Sequence, residues 1–219
     1  MKAAACLFDV ESIEQETIDM WHAALPATER ARLEASQRFA ARNDSIIARF
    51  LLQELAAATL SGHWTVETQP DRSIRVVGDE RTVSASLSHT AGAVMVALCS
   101  TGDIGVDIEH HRKNNVEKIV KRYFSDEERE AFYTAANQDR MAVFLRAWCA
   151  REALIKFQGA GTMGALLGSP LTLPDQVAHQ ELAFQRDGFR AAIICHEAAD
   201  IEYWEAHITG DRLIEFRKV

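Results

Sequence analysis

The sequence predicts an α+β protein of two similar subdomains, each with a mainly antiparallel sheet packed against helices and related by a pseudo-two-fold axis. Helical stretches precede a run of strand-like stretches twice along the 219 residues. This order within each half is typical of α+β folds with antiparallel sheets. The division falls near His110-His111, so the predicted subdomains are residues 1–110 and 111–219.

The first half begins with a predicted strand. Residues 1–10 form a short apolar run that turns acidic, which favours a strand over a signal peptide. Helical periodicity covers residues 28–42 and 44–60, and Gly62 stands where a left-handed residue ends a helix. Strand-like runs follow at residues 73–77, 83–88, 93–99 and 104–109.

The second half repeats the order. Helices are predicted at residues 116–123, 126–137 and 140–157, and Ser125 with Glu128 forms a capping box for the middle one. Gly159 ends the last helix, and strands are predicted at residues 181–186, 189–195, 201–207 and 212–216. The long apolar loop at residues 161–174 is either a mobile substrate-facing segment or an ordinary connection packed on the core.

Composition and charge exclude several classes of protein. The net charge of −8 argues against a general nucleic-acid binder. No apolar run reaches 18 residues, so no transmembrane helix and no membrane partner is expected. The four cysteines are scattered without metal-site spacing, which predicts buried free thiols in a reducing cytoplasm. An internally doubled chain has little need to oligomerise, so we expect a cytoplasmic monomer.

The strand Gly105-Val106-Asp107-Ile108-Glu109 carries the first chemical signal. Alternation along a strand points Asp107 and Glu109 to one face and Val106 and Ile108 to the other. Two adjacent carboxylates repel each other unless a positive charge lies between them. A hard cation with oxygen ligands is the obvious candidate.

A third carboxylate, Glu152, interrupts an apolar helical stripe. The stripe in the helix at residues 140–157 consists of Met141, Leu145, Trp148 and Ile155. Glu152 stands where another apolar residue is expected, and a carboxylate facing the core needs a partner. The alternative is a salt bridge to Lys156 one turn on, which contributes only about 0.3–0.5 kcal/mol when exposed. We therefore favour a functional Glu152.

Together these residues predict a magnesium site. Asp107, Glu109 and Glu152 supply three oxygen ligands and leave positions for water and substrate phosphates, as Mg²⁺ prefers. Basic residues suited to phosphates are Arg49, Arg72, His89, Arg151 and Lys156. No nucleophile elbow, Walker A loop or dinucleotide-binding glycine motif is present. The residues alone predict a Mg²⁺-dependent enzyme acting on a phosphate ester or anhydride, and a phosphohydrolase stays open.

The order of four motifs resembles the 4′-phosphopantetheinyl transferases, over about residues 38–165. The motifs are Ser88-His89, Gly105-Val106-Asp107-Ile108-Glu109, Phe124-Ser125-x-x-Glu128 and Trp148-Cys149-Ala150-Arg151-Glu152-Ala153-Leu154-Ile155-Lys156. The length and the two-half plan resemble the Sfp-type branch, in which one chain carries two similar subdomains with the active site between them.

The resemblance implies transfer of 4′-phosphopantetheine from coenzyme A to a serine of an apo acyl or peptidyl carrier protein, with release of adenosine 3′,5′-bisphosphate. It implies that Asp107, Glu109 and Glu152 hold Mg²⁺ against the pyrophosphate. Glu152 would take the serine proton, and Lys156 would neutralise developing charge. The residues implied for binding the nucleotide end and phosphates of coenzyme A are Arg49, Arg72, Ser88, His89, Arg151 and Lys156.

Two departures and one basic cluster bear on this resemblance. Position 151 carries Arg where the family usually has Lys, and Asp71-Arg72-Ser73 stands in place of Gly-Lys-Pro. These departures motivate an alternative, a coenzyme A-binding or carrier-binding protein that lacks transferase activity. The basic cluster, Arg112, Lys113, Lys118, Lys121 and Arg122, is either a solvated helix face or a docking surface for an acidic carrier protein.

Overall fold

A computed structural model describes residues 3–10, 13–35, 39–90, 92–111, 116–159, 168–183, 188–196, 200–209 and 214–219. Within these ranges the chain forms ten strands and six helices. In chain order they are β1 (Ala3–Asp9), α1 (Gln15–Ala24), α2 (Ala27–Glu34), α3 (Phe39–Leu60), β2 (Trp64–Thr68), β3 (Ile74–Gly78), β4 (Thr82–Thr90), β5 (Ala93–Cys99), β6 (Ile104–His110), α4 (Glu117–Tyr123), α5 (Asp126–Thr134), α6 (Arg140–Phe157), β7 (Val177–Ala183), β8 (Phe189–His196), β9 (Ile201–Ile208) and β10 (Ile214–Lys218).

The strands form two sheets, which confirms the α+β class. The larger sheet has seven strands in the order β10-β9-β1-β5-β4-β3-β2, and the smaller has three in the order β6-β8-β7. Neighbouring strands are antiparallel except for the parallel pair of β1 and β9. Both sheets are thus mainly antiparallel, as the sequence predicts.

The sheets do not follow the two halves of the chain. Strand β6 of the first half pairs with β8, whereas β9 and β10 of the second half extend the larger sheet through β1. Each sheet therefore contains strands from both predicted subdomains, residues 1–110 and 111–219. The two-subdomain division and its pseudo-two-fold axis stay predictions.

The fold has four layers, which place α6 against β6, the strand that carries Asp107 and Glu109. Helix α3 covers one face of the larger sheet, and the other face packs on the smaller sheet through Met95, Ile104, Val106, Ile108 and Ile193. Helix α6 covers the outer face of the smaller sheet. A Cβ on Gly105 would lie 2.0 Å from the carbonyl oxygen of Ala153, so only glycine permits this close approach of β6 to α6.

Several predicted element bounds are wrong. The break predicted at residue 43 falls inside α3, because Asn43 and Asp44 contact Gln15 and His89 instead of capping a helix. Helix α1 and strand β2 were not predicted, and α5 ends at Thr134 instead of residue 137. Strand β7 starts four residues before the predicted position. The capping box of Ser125 and Glu128 is confirmed.

The cysteines are buried with free thiols, as predicted. Burial raises the pKa of the Cys195 thiol to about 11, and burial followed by the charges of Asp107 and Glu109 raises the pKa of the Cys149 thiol. Of the helices in the described ranges, none is long and apolar enough to cross a bilayer.

Candidate active site

Asp107 stands at the centre of the site. It is only 4% exposed, and its Oδ1 accepts hydrogen bonds from Ser88 Oγ at 2.7 Å and Lys156 Nζ at 2.8 Å. Its Oδ2 is also buried and has no hydrogen-bond partner among the residues that the structure describes. A buried carboxylate oxygen without a partner costs free energy, which a bound ligand removes.

Glu109 and Glu152 face Asp107 from two elements. Glu109 lies two residues along β6, and its Oε2 accepts from Thr90 Oγ1 at 3.4 Å. Burial raises the pKa of Glu152, and the charge of Asp107 raises it further; Lys156 opposes this effect and Glu109 reinforces it. The three carboxylates predicted from the sequence are therefore neighbours.

Their donor chemistry fits a hard divalent cation. The charges of Asp107 and Glu109 help to raise the pKa of Glu152. Among the described residues Asp107 Oδ2 has no hydrogen-bond donor, so it can serve as a metal ligand. In the described part of the chain, no set of three or more His, Cys, Asp or Glu residues already has metal-holding geometry. The ammonium of Lys156 places a positive charge next to Asp107 Oδ1.

The apolar stripe of α6 that Glu152 interrupts does not coincide with the buried face of that helix. The buried residues of that helix include Phe144, Leu145, Cys149, Ala153 and Leu154, whereas Met141, Trp148 and Ile155 are only half-buried. Glu152 thus lies at the border of the core, and Lys156 pairs with Asp107. The functional interpretation of Glu152 rests on its acidic neighbours.

A cationic cavity adjoins the carboxylates. Its volume is about 330 Å³, and its lining includes the predicted residues Arg49, Arg72 and Lys156 together with Arg32. Because Lys156 also contacts Asp107, the cavity and the carboxylate group share one side chain. Such a concentration of cations next to carboxylates suits a phosphorylated ligand that brings a metal ion.

A buried carboxylate, Glu29, fixes Arg49 at the cavity wall. Arg49 Nε donates to Glu29 Oε2 at 2.7 Å, and its Nη2 donates to Thr68 Oγ1 at 3.2 Å. Glu29 also accepts from Arg32 and from the Thr68 amide. Burial acts to raise the pKa of Glu29, but hydrogen bonds from Arg49, Arg32 and Thr68 together outweigh it and leave the pKa lowered. Sequence reasoning missed Glu29, Arg32 and Thr68, because their only local signal is a short polar helix.

Arg72 reaches the cavity from a tight turn between β2 and β3. Its backbone adopts a left-handed φ of 72°, and its amide donates to the carbonyl of Gln69 at 2.9 Å. Asp71 Oδ1 accepts from the amide and hydroxyl of Ser73 and closes the turn. The segment that departs from the family pattern therefore still presents a cation to the cavity.

Ser88 and His89 point to opposite faces of β4, and neither lines the cavity. Ser88 donates to Asp107, whereas the ring of His89 lies 3.5 Å from Asp44 Oδ2 and 3.4 Å from Ser45 Oγ on α3. The structure thus brings Ser88 to the carboxylates. Its contact with the nucleotide end of coenzyme A stays a prediction. A nucleotide contact from His89 stays a prediction.

Arg151, predicted to contact phosphate, is buried between α5 and α6. The side chain is 0% exposed, and Nη2 donates to a carboxylate oxygen of Glu128 and to the carbonyl of Ser169 at 2.7 Å. Its guanidinium lies over the ring of Phe124, 5.7 Å from the centroid. Arg151 therefore joins α6 to the start of α5 and to the chain after α6, which favours a structural role. Its contact with coenzyme A stays a prediction.

The basic cluster is only partly within the described residues. Lys118, Lys121 and Arg122 are exposed on α4, and Arg122 lies over the ring of Tyr123. Arg112 and Lys113 lie outside the described residues. These contacts leave both the solvated-face and the docking interpretation open.

Comparison with known proteins decides the family. The family model of the 4′-phosphopantetheinyl transferase superfamily matches residues 103–214, which is half of the chain and includes Asp107, Glu109, Glu152 and Lys156. The chain belongs to this superfamily. The Sfp-type branch stays a prediction.

Curated relatives carry the same activity in their names. The chain is 31% identical over 77 residues to the 4′-phosphopantetheinyl transferase HetI of Nostoc sp., which covers 35% of this chain and 32% of the relative. It is 28% identical over 94 residues to the 4′-phosphopantetheinyl transferase AcpT of Salmonella typhimurium, covering 42% and 48%. A match to slr0495 of Synechocystis sp., a protein named as a candidate transferase of this class, has 26% identity over 159 residues and covers 70% and 64%. The matches thus span from about a third to just under two thirds of these relatives.

Proposed function

We propose that this superfamily member transfers 4′-phosphopantetheine from coenzyme A to a serine of an apo acyl or peptidyl carrier protein and releases adenosine 3′,5′-bisphosphate. The observation that supports the proposal is that one side chain, Lys156, both contacts Asp107 and lines the cationic cavity. The reacting phosphate and the nucleotide phosphates of coenzyme A therefore have adjacent sites of suitable charge.

The cavity binds the nucleotide end of coenzyme A. Arg32, Arg49 and Arg72 face it, and guanidinium groups bind phosphate through charge-assisted hydrogen bonds. Glu29 and Thr68 orient Arg49, so that part of this surface is ordered before the ligand arrives. The 3′-phosphate is the group that this concentration of cations suits best.

Asp107, Glu109 and Glu152 are the residues that would hold Mg²⁺. When bound, the ion neutralises charge on the pyrophosphate of coenzyme A. Asp107 Oδ2 is the oxygen most in need of such a partner, since Ser88 and Lys156 both bind Oδ1.

Glu152 acts as the base. Its pKa is raised by burial and by Asp107, which makes it a better proton acceptor than an exposed carboxylate. It takes the proton of the carrier serine hydroxyl as the serine oxygen bonds to the phosphorus next to pantetheine. The bond from that phosphorus to the bridging oxygen breaks, and the bisphosphate leaves with the electron pair while Lys156 stabilises the developing charge.

The carrier protein docks near α4 in this proposal. The chain has a net charge of −8, so an acidic carrier is repelled overall and needs a local basic surface. Lys118, Lys121 and Arg122 offer that surface. We also propose that the enzyme acts as a monomer in the cytoplasm.

The direct test is incubation with coenzyme A, Mg²⁺ and a panel of apo acyl and peptidyl carrier proteins, followed by intact-mass analysis. A mass gain of one phosphopantetheine on at least one carrier is expected, and none on the same carrier with its acceptor serine replaced by alanine. Tight coenzyme A binding by calorimetry with no mass gain on any carrier would favour a binding protein without transferase activity.

A further inference from the structure

Alternate residues of β4 form a row of hydroxyl groups directed at β6 and the loop before it. Ser84 Oγ donates to Asp103 Oδ1 at 3.2 Å, and Ser86 Oγ accepts from the amide of Val106 at 3.0 Å. Ser88 Oγ donates to Asp107 at 2.7 Å, and Thr90 Oγ1 donates to Glu109 at 3.4 Å. We call Ser84, Ser86, Ser88 and Thr90 the hydroxyl row.

The row joins two strands that belong to different sheets. Strand β6 is an edge strand of the smaller sheet, so the backbone groups along its outer edge have no neighbouring strand. Ser86 supplies an acceptor to one of them, the buried amide of Val106. A side chain of the larger sheet therefore satisfies a backbone amide at this edge, where no neighbouring strand does so.

Two members of the row bind the carboxylates themselves. Ser88 is buried, and its hydrogen bond of 2.7 Å to Asp107 Oδ1 has the usual length for a hydroxyl donating to a carboxylate. The same oxygen also accepts a hydrogen bond from Lys156 Nζ on α6. Both donors restrain Oδ1, and the buried Oδ2 is left without a hydrogen-bond partner among the described residues.

We propose that Ser88 and Thr90 are positioning residues, which orient Asp107 and Glu109 from the neighbouring sheet so that both carboxylates meet a divalent cation. This inference rests on the proposed function. It differs from the nucleotide contact that the family resemblance implies for Ser88. Groups that orient metal-binding carboxylates by hydrogen bonds typically change metal affinity about 10–100-fold when removed.

Manganese binding, measured by the electron paramagnetic resonance of free Mn²⁺, tests the proposal without turnover. Ser88→Ala and Thr90→Val in the full chain are each expected to weaken Mn²⁺ binding about 10-fold or more. Ser84→Ala is the matched control, because its partner Asp103 lies outside the site, and it should bind Mn²⁺ as the wild type does. Ser88→Thr keeps a hydroxyl and should restore most of the affinity.

The outcomes separate this inference from the proposed function. Wild-type Mn²⁺ affinity in folded Ser88→Ala and Thr90→Val would overturn the positioning role while leaving the transferase proposal intact. A raised KM for coenzyme A with unchanged Mn²⁺ affinity in Ser88→Ala would also overturn it, in favour of a nucleotide contact. A wild-type protein that binds no Mn²⁺, with or without coenzyme A, would overturn the proposed metal site and the positioning role with it. Thr90→Val is nearly isosteric and decides the matter if Ser88→Ala does not fold.

Discussion

Lys156 Nζ lies 2.8 Å from Asp107 Oδ1 and 2.9 Å from the carbonyl oxygen of Val106. The same side chain lines the cationic cavity. One ammonium group therefore connects the predicted metal ligand to the predicted phosphate-binding surface. It also holds α6 to β6 at the level of Glu152, one helical turn before Lys156.

Replacing Lys156 tests whether its charge serves the reaction or the metal. Lys156→Met removes the ammonium while keeping most of the side-chain volume. We expect kcat to fall about 10²–10³-fold, since a group that stabilises developing charge is lost. Mn²⁺ affinity should stay equal or rise, because a competing positive charge beside Asp107 is gone. Lys218→Met, at an exposed ion pair with Glu202, is the control for both measurements. A collapse of Mn²⁺ binding in Lys156→Met would instead show that Lys156 orders the carboxylates.

Arg151 is expected to matter for stability and not for coenzyme A. Arg151→Met leaves Glu128 without its buried partner and should lower the free energy of unfolding by up to about 3–5 kcal/mol in urea titrations. Arg146→Met on the same helix breaks an exposed pair with Glu181 and should cost about 1 kcal/mol or less. The folded fraction of Arg151→Lys should keep the wild-type KM for coenzyme A. If Arg151→Lys raised the KM for coenzyme A at unchanged stability, the result would support the predicted phosphate contact of Arg151.

Arg72 offers a test of the cavity as the site for the 3′-phosphate. Arg72→Gly removes the charge and suits the left-handed backbone at this position, so the turn is preserved. The KM for coenzyme A should rise about three- to tenfold at low salt, with a smaller effect at high salt. For 3′-dephospho-coenzyme A the variant and the wild type should differ little. Arg75→Met, in the adjacent strand and paired with Asp103, is the control. An equal loss for both substrates would place the 3′-phosphate elsewhere.

Glu29 gives the site a pH-dependent contribution to stability. Its pKa is lowered in the folded protein from an ordinary value of 4.5, so its ionised form stabilises the fold above that value. The stabilisation is lost as the pH falls through the lower, folded-state pKa. Glu29→Gln should therefore be less stable than the wild type by about 1–3 kcal/mol at pH 7. The difference should shrink in urea titrations below about pH 4, and at pH 7 the exposed Glu67→Gln should change the free energy of unfolding by about 0.5 kcal/mol or less. A difference that is constant with pH would contradict the ion-pair account.

The sequence predicted the element types well because most elements are strongly periodic. Strand β5 is a continuous apolar run, the residues of β6 alternate, and a capping box marks the start of α5. It could not predict which sheet each strand joins. The chain passes from β5 to β6 through four residues and changes sheet there, which the pairing of β6 with β8 shows.

The role of a site residue could be predicted from the sequence where its chemical type determines that role. It could not be predicted where the role depends on how the side chain packs. Asp107, Glu109 and Glu152 carry charge at positions where the pattern makes charge costly, so they stand out. The basic residue Arg151 carries charge too, but burial against Phe124 and Glu128 gives it a structural role that spacing does not show. The hydroxyl row does have a sequence signal, since Ser84, Ser86, Ser88 and Thr90 alternate along one strand. Serine and threonine are too common on exposed strand faces for that signal to have been decisive.

Whether Glu152 serves the transfer of phosphopantetheine is decided by intact-mass analysis of one responsive apo carrier incubated with wild-type or Glu152→Gln enzyme. Glutamine keeps the size of the side chain but neither accepts the proton nor carries the charge, so the transfer rate should fall at least about 10²–10⁴-fold. The circular dichroism of the variant should match the wild type, and Glu127→Gln on the exposed face of α5 should transfer at the wild-type rate. A folded Glu152→Gln enzyme that modifies the carrier serine at a near-normal rate would contradict the account.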